Sequence, residues 1–119
     1  MKIAVTSKGT HLDSEVDPRF GRAAYIIIVD SETLGFEVVD NKENVNALKG
    51  AGIQAARMAS DKKADVLLTG FCGPNAFKAM KAAKIGVAND AAGTVRDALQ
   101  AYLDGKLPLS DAANVEGQW

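Results

Sequence analysis

Short apolar runs rich in β-branched residues alternate with longer, alanine-rich segments along this chain. The β-branched runs predict strands, because Val and Ile fit a pleated, half-buried surface. The second and third runs are separated by Ser31-Glu32-Thr33-Leu34-Gly35, whose length and glycine favour an antiparallel hairpin. The predicted strands span residues 2–6, 24–30, 36–40, 65–69 and 85–88.

Three segments carry apolar side chains at helical spacing and predict helices. The first begins at Gly50 and ends near Asp61, and the second begins at Pro74, a residue favoured in the first turn. The third has Thr94 as its N-cap and ends at Gly105. The residues expected on the buried sides of the helices are Ile53, Ala56 and Ala59 or Ser60; Ala76, Phe77, Met80 and Ala83 or Lys84; and Val95, Ala98, Leu99, Tyr102 and Leu103.

The order of these elements predicts an α/β fold with a mixed five-stranded sheet in the order 3-2-1-4-5. Strand 2 is antiparallel, the late strands are parallel to the first because crossovers through helices are right-handed, and helices cover both faces. Ligands bind such sheets beyond the carboxyl ends of the parallel strands. This rule selects the loops 7–17, 70–73 and 89–93, with residues 19–22 beside the first.

Composition limits the number of domains and the class of partner. A chain of 119 residues forms one domain, for which we expect residues 1–106, followed by a poorly ordered tail at 107–119. Fourteen basic and fifteen acidic side chains give a net charge of -1, which predicts neither nucleic acid nor membrane as partner. The sequence shows no membrane span or signal peptide, so we expect a cytoplasmic protein, either a monomer or a weak homodimer.

The segment Asp17-Pro18-Arg19-Phe20-Gly21-Arg22 places two guanidinium groups, a proline and a glycine directly ahead of a strand. Proline fixes one φ angle, glycine permits a tight turn, and arginines three apart can direct several donors at one anion. The segment therefore predicts an anion-binding loop. The alternative is that Phe20 fills the core and the two arginines form a solvated surface.

The segment Gly70-Phe71-Cys72-Gly73-Pro74-Asn75 leads into the second helix, where backbone N–H groups and the helix dipole favour an anion. At this position we expect Cys72 to have a lowered pKa and to be able to ligate a soft metal. The alternative is a buried cysteine that acts as a small apolar residue. His11, the only histidine, is either a surface residue or a ligand in the loop that also holds Ser7 and Thr10.

Residue patterns favour a binding module over an enzyme. The glycines around Ala51 only weakly resemble a dinucleotide fingerprint, and the lysine motif of phosphate loops is absent. The first strand carries no carboxylates that could hold two metal ions. Ser7, His11 and Asp13 lack the surroundings of a catalytic nucleophile.

Five sequence segments together carry a family resemblance. The segments are Met1 to Val5, Asp-x-x-Val-Asp-x-Arg-Phe-Gly-Arg from Asp13, Gly50-Ala51-Gly52-x-Gln54-Ala55-Ala56, Gly73-Pro74-Asn75-Ala76-Phe77 and Gly93-Thr94-Val95. They resemble the dinitrogenase iron–molybdenum cofactor-binding family, which includes NifX, NafY and the carboxyl-terminal part of NifB. The resemblance implies a ribonuclease H-like, three-layer fold without nuclease activity. It also implies non-catalytic binding or carriage of an anionic metal–sulfur cluster.

This chain departs from the family in one position, because Arg19 stands where members often have histidine before Phe-Gly. Capture by charge and hydrogen bonds is therefore expected instead of ligation by histidine. Resemblance to small single-domain members with Cys-Gly-Pro after the fourth strand implies a molybdenum–copper sulfide cluster, with an iron–molybdenum–sulfur cluster as the next candidate. Such a cluster brings its own sulfide ligands, so one cysteine is sufficient.

The resemblance implies a role for each candidate residue. Arg19 and Arg22 would neutralise the cluster, and Phe20 and Phe71 would shield it from water. Backbone N–H groups near residues 72–75 and 7–10 would donate to its sulfides. A cluster-accepting protein or an ATPase is the expected partner; the alternative function is a signalling adaptor that contacts an ATPase or a cell-division protein. The full set is Ser7, Thr10, Arg19, Phe20, Arg22, Phe71, Cys72, Gly73, Asn75 and Asn89, with Cys72 and His11 as candidate copper ligands.

Overall fold

The computed structural model describes residues 1–42 and 51–110. Within these ranges, five strands and three helices occur in the predicted order: three strands come first, and helices and strands then alternate. No helix in this part of the chain is long and apolar enough to cross a membrane. The strands are β1 (Lys2–Ser7), β2 (Tyr25–Asp30), β3 (Phe36–Asp40), β4 (Val66–Leu68) and β5 (Gly86–Ala88), and the helices are α1 (Ala51–Asp61), α2 (Pro74–Ala82) and α3 (Val95–Leu103).

The strands form one mixed sheet in the order β3-β2-β1-β4-β5, which confirms the predicted topology. β1 pairs antiparallel with β2 and parallel with β4, so Val5 lies between Ile27 and Leu68. β2 pairs antiparallel with β3 through the predicted hairpin, and β4 pairs parallel with β5. The carboxyl ends of β1, β4 and β5 therefore lie at one edge of the sheet, here called the carboxyl edge.

Helices cover both faces of the sheet, as predicted, and each face has its own apolar core. Side chains alternate along β1, so that Ala4 faces one core while Ile3 and Val5 face the other. The first core holds the buried residues of α1 and α2, and the second holds those of α3. Every strand at the centre of the sheet is thus buried on two sides.

The buried side of α1 agrees with the prediction at Ala56 and Ala59 and differs at Ile53. Ile53 is 43% exposed, whereas Ala55, Ala56 and Ala59 face the core. A Cβ atom on Gly21 would lie 2.8 Å from the nitrogen of Gly52, so the start of α1 lies close to the loop before β2. α1 contacts α2 and turns its alanine side toward the first core, which leaves Ile53 on the outer side.

The two later helices agree with the prediction over most of their length. Ala76, Phe77 and Met80 of α2 are buried, as are Val95, Ala98 and Leu99 of α3. Thr94 caps α3, and Gly105 follows its end with a φ of 77°. The exception is Leu103, which is exposed because the last turn of α3 extends past the core.

The chain after α3 continues along the outer edge of β5. Leu107 packs against the second core, and the Leu109 side chain lies against Gly86. The N–H of Ser110 donates to the carbonyl of Val87 at 2.7 Å. Residues 107–110 therefore contact the sheet, while 111–119 lie outside the described residues; the division of the chain at residue 106 stays a prediction.

Candidate anion-binding site

The three loops selected by the strand order contact one another at the carboxyl edge. The N–H of Asp17 donates to the carbonyl of Thr6 at 3.0 Å. The N–H of Phe71 donates to Pro18 at 2.6 Å, and the N–H of Asp90 donates to Gly70 at 3.0 Å. Backbone hydrogen bonds thus join the loops after β1, β4 and β5 into one surface.

The long loop after β1 divides into two halves that serve different helices. Its first half, residues 8–16, packs on the start of α3, where the N–H groups of Val95 and Arg96 donate to Ser14 and Leu12, both at 2.8 Å. Its second half, residues 17–22, packs on the connection between β4 and α2. Of the predicted site residues in this loop, Thr10 and His11 belong to the first half, and Arg19, Phe20 and Arg22 belong to the second.

The second half of the loop lies directly beside the start of α2. Arg19 and Phe71 form an isolated parallel bridge, and the N–H of Phe20 donates to the carbonyl of Phe71 at 3.1 Å. A Cβ atom on Gly70 would lie 2.7 Å from Cα of Pro18, so only glycine allows this approach. Arg19 and Phe71 are therefore brought together, two residues before Gly73, the N-cap of α2.

The guanidinium of Arg19 lies at the rim and is held by a buried carboxylate that the sequence interpretation missed. Nε of Arg19 is 3.5 Å from Oδ1 of Asp17, and the two side chains are 48% and 6% exposed. The same oxygen accepts the backbone N–H of Arg19 at 3.0 Å. An aspartate two residues before an arginine is a signal for this turn, because Asp often accepts the N–H of residue i+2.

Hydrogen bonds of the backbone and of Asn41 hold the loop that contains Arg22. Its N–H donates to the carbonyl of Arg19 at 3.1 Å, and its side chain is half-buried. Gly21 has a φ of 93°, a conformation that favours glycine. Asn41, a buried residue without a recognised sequence signal, donates from Nδ2 to Ala23 at 2.8 Å and to Gly21 at 3.3 Å.

The two predicted aromatic shields lie in different environments. Phe20 is fully buried in the first core, as the alternative interpretation of this segment expected. Phe71 is 39% exposed at the rim beside Arg19. Phe20 therefore supports the loop from below, and Phe71 is the aromatic side chain at the surface.

The expectation of a lowered pKa for Cys72 is wrong. Cys72 lies in the first core with Phe20 and Ala76, and burial raises the pKa of its thiol to about 12. Desolvation of the thiolate thus outweighs any stabilisation by the helix dipole. Sγ lies 3.8 Å from the carbonyl of Gly73, which a protonated thiol can use as an acceptor.

The first turn of α2 lacks a side-chain cap among the residues described. Gly73 is the N-cap and has no side chain, and Pro74 has no N–H. The N–H groups of Asn75 and Ala76 are the remaining donors of the first turn, since Phe77 donates to Gly73 at 2.9 Å, and Ala76 is fully buried. Asn75 is exposed. This end of α2 offers donors that neighbouring side chains of the helix do not cap.

The first-turn N–H groups of α3 donate to other groups of the protein. Thr94 and Asp97 form a capping box, in which the Asp97 N–H donates to Oγ1 of Thr94 at 3.0 Å and the Thr94 N–H donates to Oδ2 of Asp97 at 3.1 Å. The cleft here has a volume of about 410 Å³. It is lined by Glu15 and Asp97, and by Lys8, which pairs with Glu15 at 3.5 Å. This acidic cleft does not suit an anion.

The predicted donors around residues 7–10 are partly used within the loop. The N–H of Lys8 donates to Glu15 at 2.9 Å. The N–H of Gly9 donates to Oγ of Ser7 at 3.2 Å, and this hydroxyl donates to the carbonyl of Gly9 at 2.8 Å. The turn itself therefore uses the Lys8 and Gly9 N–H groups, and their donation to a ligand stays a prediction.

Thr10 and His11 are exposed in the half of the loop that packs on α3. The backbone N–H of His11 donates to Oγ of Ser14 at 3.1 Å. In residues 1–42 and 51–110, no group of three or more His, Cys, Asp or Glu side chains is placed to hold a metal ion. His11 and the buried Cys72 do not belong to a shared ligand set.

Asn89 lies at the end of β5 and is buried. Its Nδ2 donates to Oγ of Ser110 at 3.0 Å. Its Oδ1 is buried and has no hydrogen-bond partner among the described residues. Asn89 connects the carboxyl edge to the segment that follows α3.

The sequence pattern of the dinitrogenase iron-molybdenum cofactor family matches residues 1–105. The chain belongs to this family. No curated protein matches the chain.

Solved structures support this family membership. The chain is similar to the apo form of the orange protein from Desulfovibrio gigas, with 48% identity, a TM-score of 0.93 and coverage of 96% of each chain. It is also similar to a putative NifB protein from Thermotoga, with 34% identity, a TM-score of 0.84 and coverage of 98% of each chain. A putative dinitrogenase from Methanocaldococcus jannaschii, at 15% identity with a TM-score of 0.69 and coverage of 94% and 96%, shows the same fold.

In this member of the dinitrogenase cofactor family, two sequence segments that carry the resemblance meet at one backbone contact. Gly21 of the Arg19–Arg22 segment approaches Gly52, the second residue of α1. Close packing against the backbone of Gly52 accounts for glycine at position 21. The segment that begins at Gly73 forms the start of α2.

Proposed function

We propose that this family member binds and carries an anionic metal–sulfur cluster without catalysing a reaction on it. The favoured cluster is a molybdenum–copper sulfide, and an iron–molybdenum–sulfur cluster is the next candidate. One observation carries the proposal: α2 begins without a side-chain cap, and Arg19 pairs with Phe71, which lies two residues before the Gly73 N-cap. Donors and positive charge at one place are what an anion requires.

The helical layer that holds the start of α2 carries a net positive charge, with Lys62, Lys63 and Lys84 at the opposite ends of its helices. Residues 51–63 and 74–84, which form α1, α2 and the turns after them, hold six basic side chains and one acidic side chain. One of the six, Lys62, pairs with Glu37 of β3. The whole chain has a net charge of -1, so this layer is positive against a slightly negative background.

The state of Cys72 supports a cluster that brings its own sulfide ligands. A thiol with a pKa of about 12 is protonated at neutral pH, and thiolate is the form that binds metals. The described residues also lack a group of side chains suited to a bare metal ion. Sulfides in a preformed cluster instead need hydrogen-bond donors and cations.

Each residue near the start of α2 has a proposed role. Arg19 and Arg22 neutralise the cluster, and the first-turn N–H group of the exposed Asn75 donates to its sulfides. Phe71 covers the bound cluster from the rim. Gly73 keeps the first turn open because it has no side chain that could cap it.

The names of the relatives agree with this proposal. The matching family is named after the dinitrogenase iron-molybdenum cofactor, and one similar structure is named as an apo form of the orange protein. A carrier must also deliver its cluster, so we propose a cluster-accepting protein or an ATPase as partner.

The proposal is tested by mixing the protein with tetrathiomolybdate and a copper salt, desalting it, and recording the visible spectrum and metal content of the protein fraction. We expect co-eluting colour with molybdenum and copper in a fixed ratio. Arg19→Ala should retain several-fold less cluster, because it removes the cation at the rim. A colourless, metal-free wild-type protein would contradict the molybdenum–copper assignment.

The matched control is Arg96→Ala. Arg96 is exposed and its Nε contacts Oδ1 of Asp13 at 3.0 Å, which is the same type of pair, but it lies on α3. We expect this variant to retain the cluster as the wild type does. Equal losses in both variants would mean that total charge, and not the site at α2, controls retention.

A further inference from the structure

We propose that Asp17 competes with the bound anion for Arg19 and thereby lowers the affinity of the site. This inference rests on the proposed function and adds a residue that controls how strongly the ligand is held. In the unloaded protein, the carboxylate of Asp17 occupies the position of a counter-ion for the guanidinium. A ligand at the start of α2 must share Arg19 with this carboxylate or remove Arg19 from it.

The geometry shows which partner of the pair is fixed. The side chain of Asp17 is 6% exposed, and that of Arg19 is 48% exposed. The backbone of Asp17 is held on both sides, since its N–H donates to Thr6 at 3.0 Å and its carbonyl accepts the hydroxyl of Thr6 at 2.7 Å. The carboxylate is therefore anchored, and the arginine is the group that can move toward a ligand.

A second Arg–Asp pair, on the surface, differs from this one in the burial of its carboxylate. Arg96 and Asp13 form a contact of the same atoms, Nε with Oδ1, at 3.0 Å. In that pair the carboxylate side chain is 79% exposed, so water and salt screen its charge. The charge of Asp17 is screened far less, so its attraction for the guanidinium of Arg19 is stronger.

The carboxylate of Asp17 has two separable tasks. It accepts the backbone N–H of Arg19, which shapes the turn, and it offers a negative charge to the guanidinium. An asparagine side chain can perform the first task, because its amide oxygen accepts the same N–H, but it lacks the charge. Asp17→Asn therefore removes the competition and keeps the turn.

A purely structural role predicts the opposite sign. If Asp17 only positions Arg19 for the ligand, loss of the charge releases the arginine and weakens binding. If Asp17 competes, loss of the charge frees Arg19 and strengthens binding by roughly tenfold, the size expected for one partly buried charge. The direction of the change decides between the two roles.

The experiment titrates the unloaded full-length chain with tetrathiomolybdate alone and follows the backbone signals of Arg19 and Asn75 by NMR. We expect Asp17→Asn to bind about tenfold more tightly than the wild type. Asp17→Ser, which keeps an oxygen acceptor without the charge, should change in the same direction. Unchanged or weaker binding by both folded variants would overturn the proposal.

Two further variants make the test specific. In an Arg19→Ala background, Asp17→Asn should lose most of its gain, because no guanidinium remains to be freed; an undiminished gain would mean that Asp17 acts directly on the anion. Asp13→Asn is the matched control and should not change the affinity. The anion titration needs no assembled cluster, so absence of a molybdenum–copper cluster would count against the proposed function without deciding the role of Asp17.

Discussion

Helices α2 and α3 both begin at the carboxyl edge, but their first turns are used differently. At α3, Thr94 and Asp97 cap each other's backbone, and the N–H groups of Val95 and Arg96 bind carbonyls of the loop after β1. At α2, the N-cap is Gly73 and the first turn has no side-chain cap within the described chain. One helix start thus anchors a loop, and the other presents donors beside an arginine.

The surroundings of the two helix starts differ in charge as well. Glu15, Asp97 and Lys8 line the cleft at α3, whereas Arg19 pairs with Phe71 in the connection that leads into α2. The macrodipole is similar in both helices, since each is nine residues long. The comparison shows that a helix dipole does not define an anion site by itself; the cap and the neighbouring charges decide.

The largest expected effect concerns Cys72, which directly precedes the cap of α2. Burial raises the pKa of its thiol from 9.0 to about 12, so the thiolate fraction at pH 8 should be roughly a thousandfold smaller in the folded protein than in the unfolded chain. We expect iodoacetamide to label Cys72 far more slowly in buffer than in urea, as measured by mass spectrometry. Fast labelling of the native protein would show that the helix start, and not burial, controls this thiol.

The same shift predicts a pH dependence of stability. Because the folded pKa lies above the unfolded value, the contribution of Cys72 is complete below about pH 9 and is lost as the pH rises toward 12. The free energy of unfolding of Cys72→Ala should therefore fall less steeply over this range than that of the wild type. Parallel curves in urea denaturation would contradict the assignment.

A second variant disrupts the contact between the Arg19 segment and the connection that leads into α2. In Gly70→Ala, the new Cβ would lie 2.7 Å from Pro18 and separate the Arg19 segment from the start of α2. We expect the free energy of unfolding to fall by about 2 to 3 kcal/mol, the cost of overpacking against backbone. Urea denaturation measures this loss.

The control for this change is Gly35→Ala in the hairpin, where the nearest atom to a Cβ is Oγ1 of Thr33 at 3.3 Å. This variant should lose well under half as much stability. Equal losses in the two variants would indicate a general cost of replacing glycine and no special contact at Gly70.

A third variant removes the cap of α3. Thr94→Ala should reduce the free energy of unfolding by about 1 kcal/mol, because the hydrogen bond from the Asp97 N–H to Oγ1 of Thr94 is lost. Cluster retention should stay unchanged, since α3 is not part of the proposed site. Thr33→Ala, an exposed turn threonine, serves as control for stability. A loss of cluster with Thr94→Ala would show that the two helix starts are coupled.

The smallest effect on stability is expected when α2 is given a cap. Gly73 has φ and ψ of -74° and 170°, which serine adopts without strain. Gly73→Ser should change stability by only a few tenths of a kcal/mol. Its hydroxyl would compete for the first-turn N–H groups, so we expect several-fold weaker retention of the cluster in the desalting assay. Unchanged retention of the cluster would show that these N–H groups do not bind it.

Much of the fold could be predicted because its signals are local. β-branched runs, the hairpin with Gly35, and Pro74 and Thr94 at helix starts follow from the conformational preferences of single residues. The strand order follows from the handedness of crossovers. The position of the candidate site at the carboxyl edge follows from that order, and the structure joins Arg19 and Phe71 there.

The sequence by itself thus determined the elements, their order and the segments that meet at the carboxyl edge. Only the tertiary structure decided that Cys72 stays protonated, that Ile53 faces outward, and that Asp17 is buried against Arg19. The physical reason is that burial depends on the sum of contacts from distant segments, whereas capping and turn formation depend on neighbours in the chain. Desolvation of a thiol or screening of a carboxylate is fixed only once those distant segments have packed.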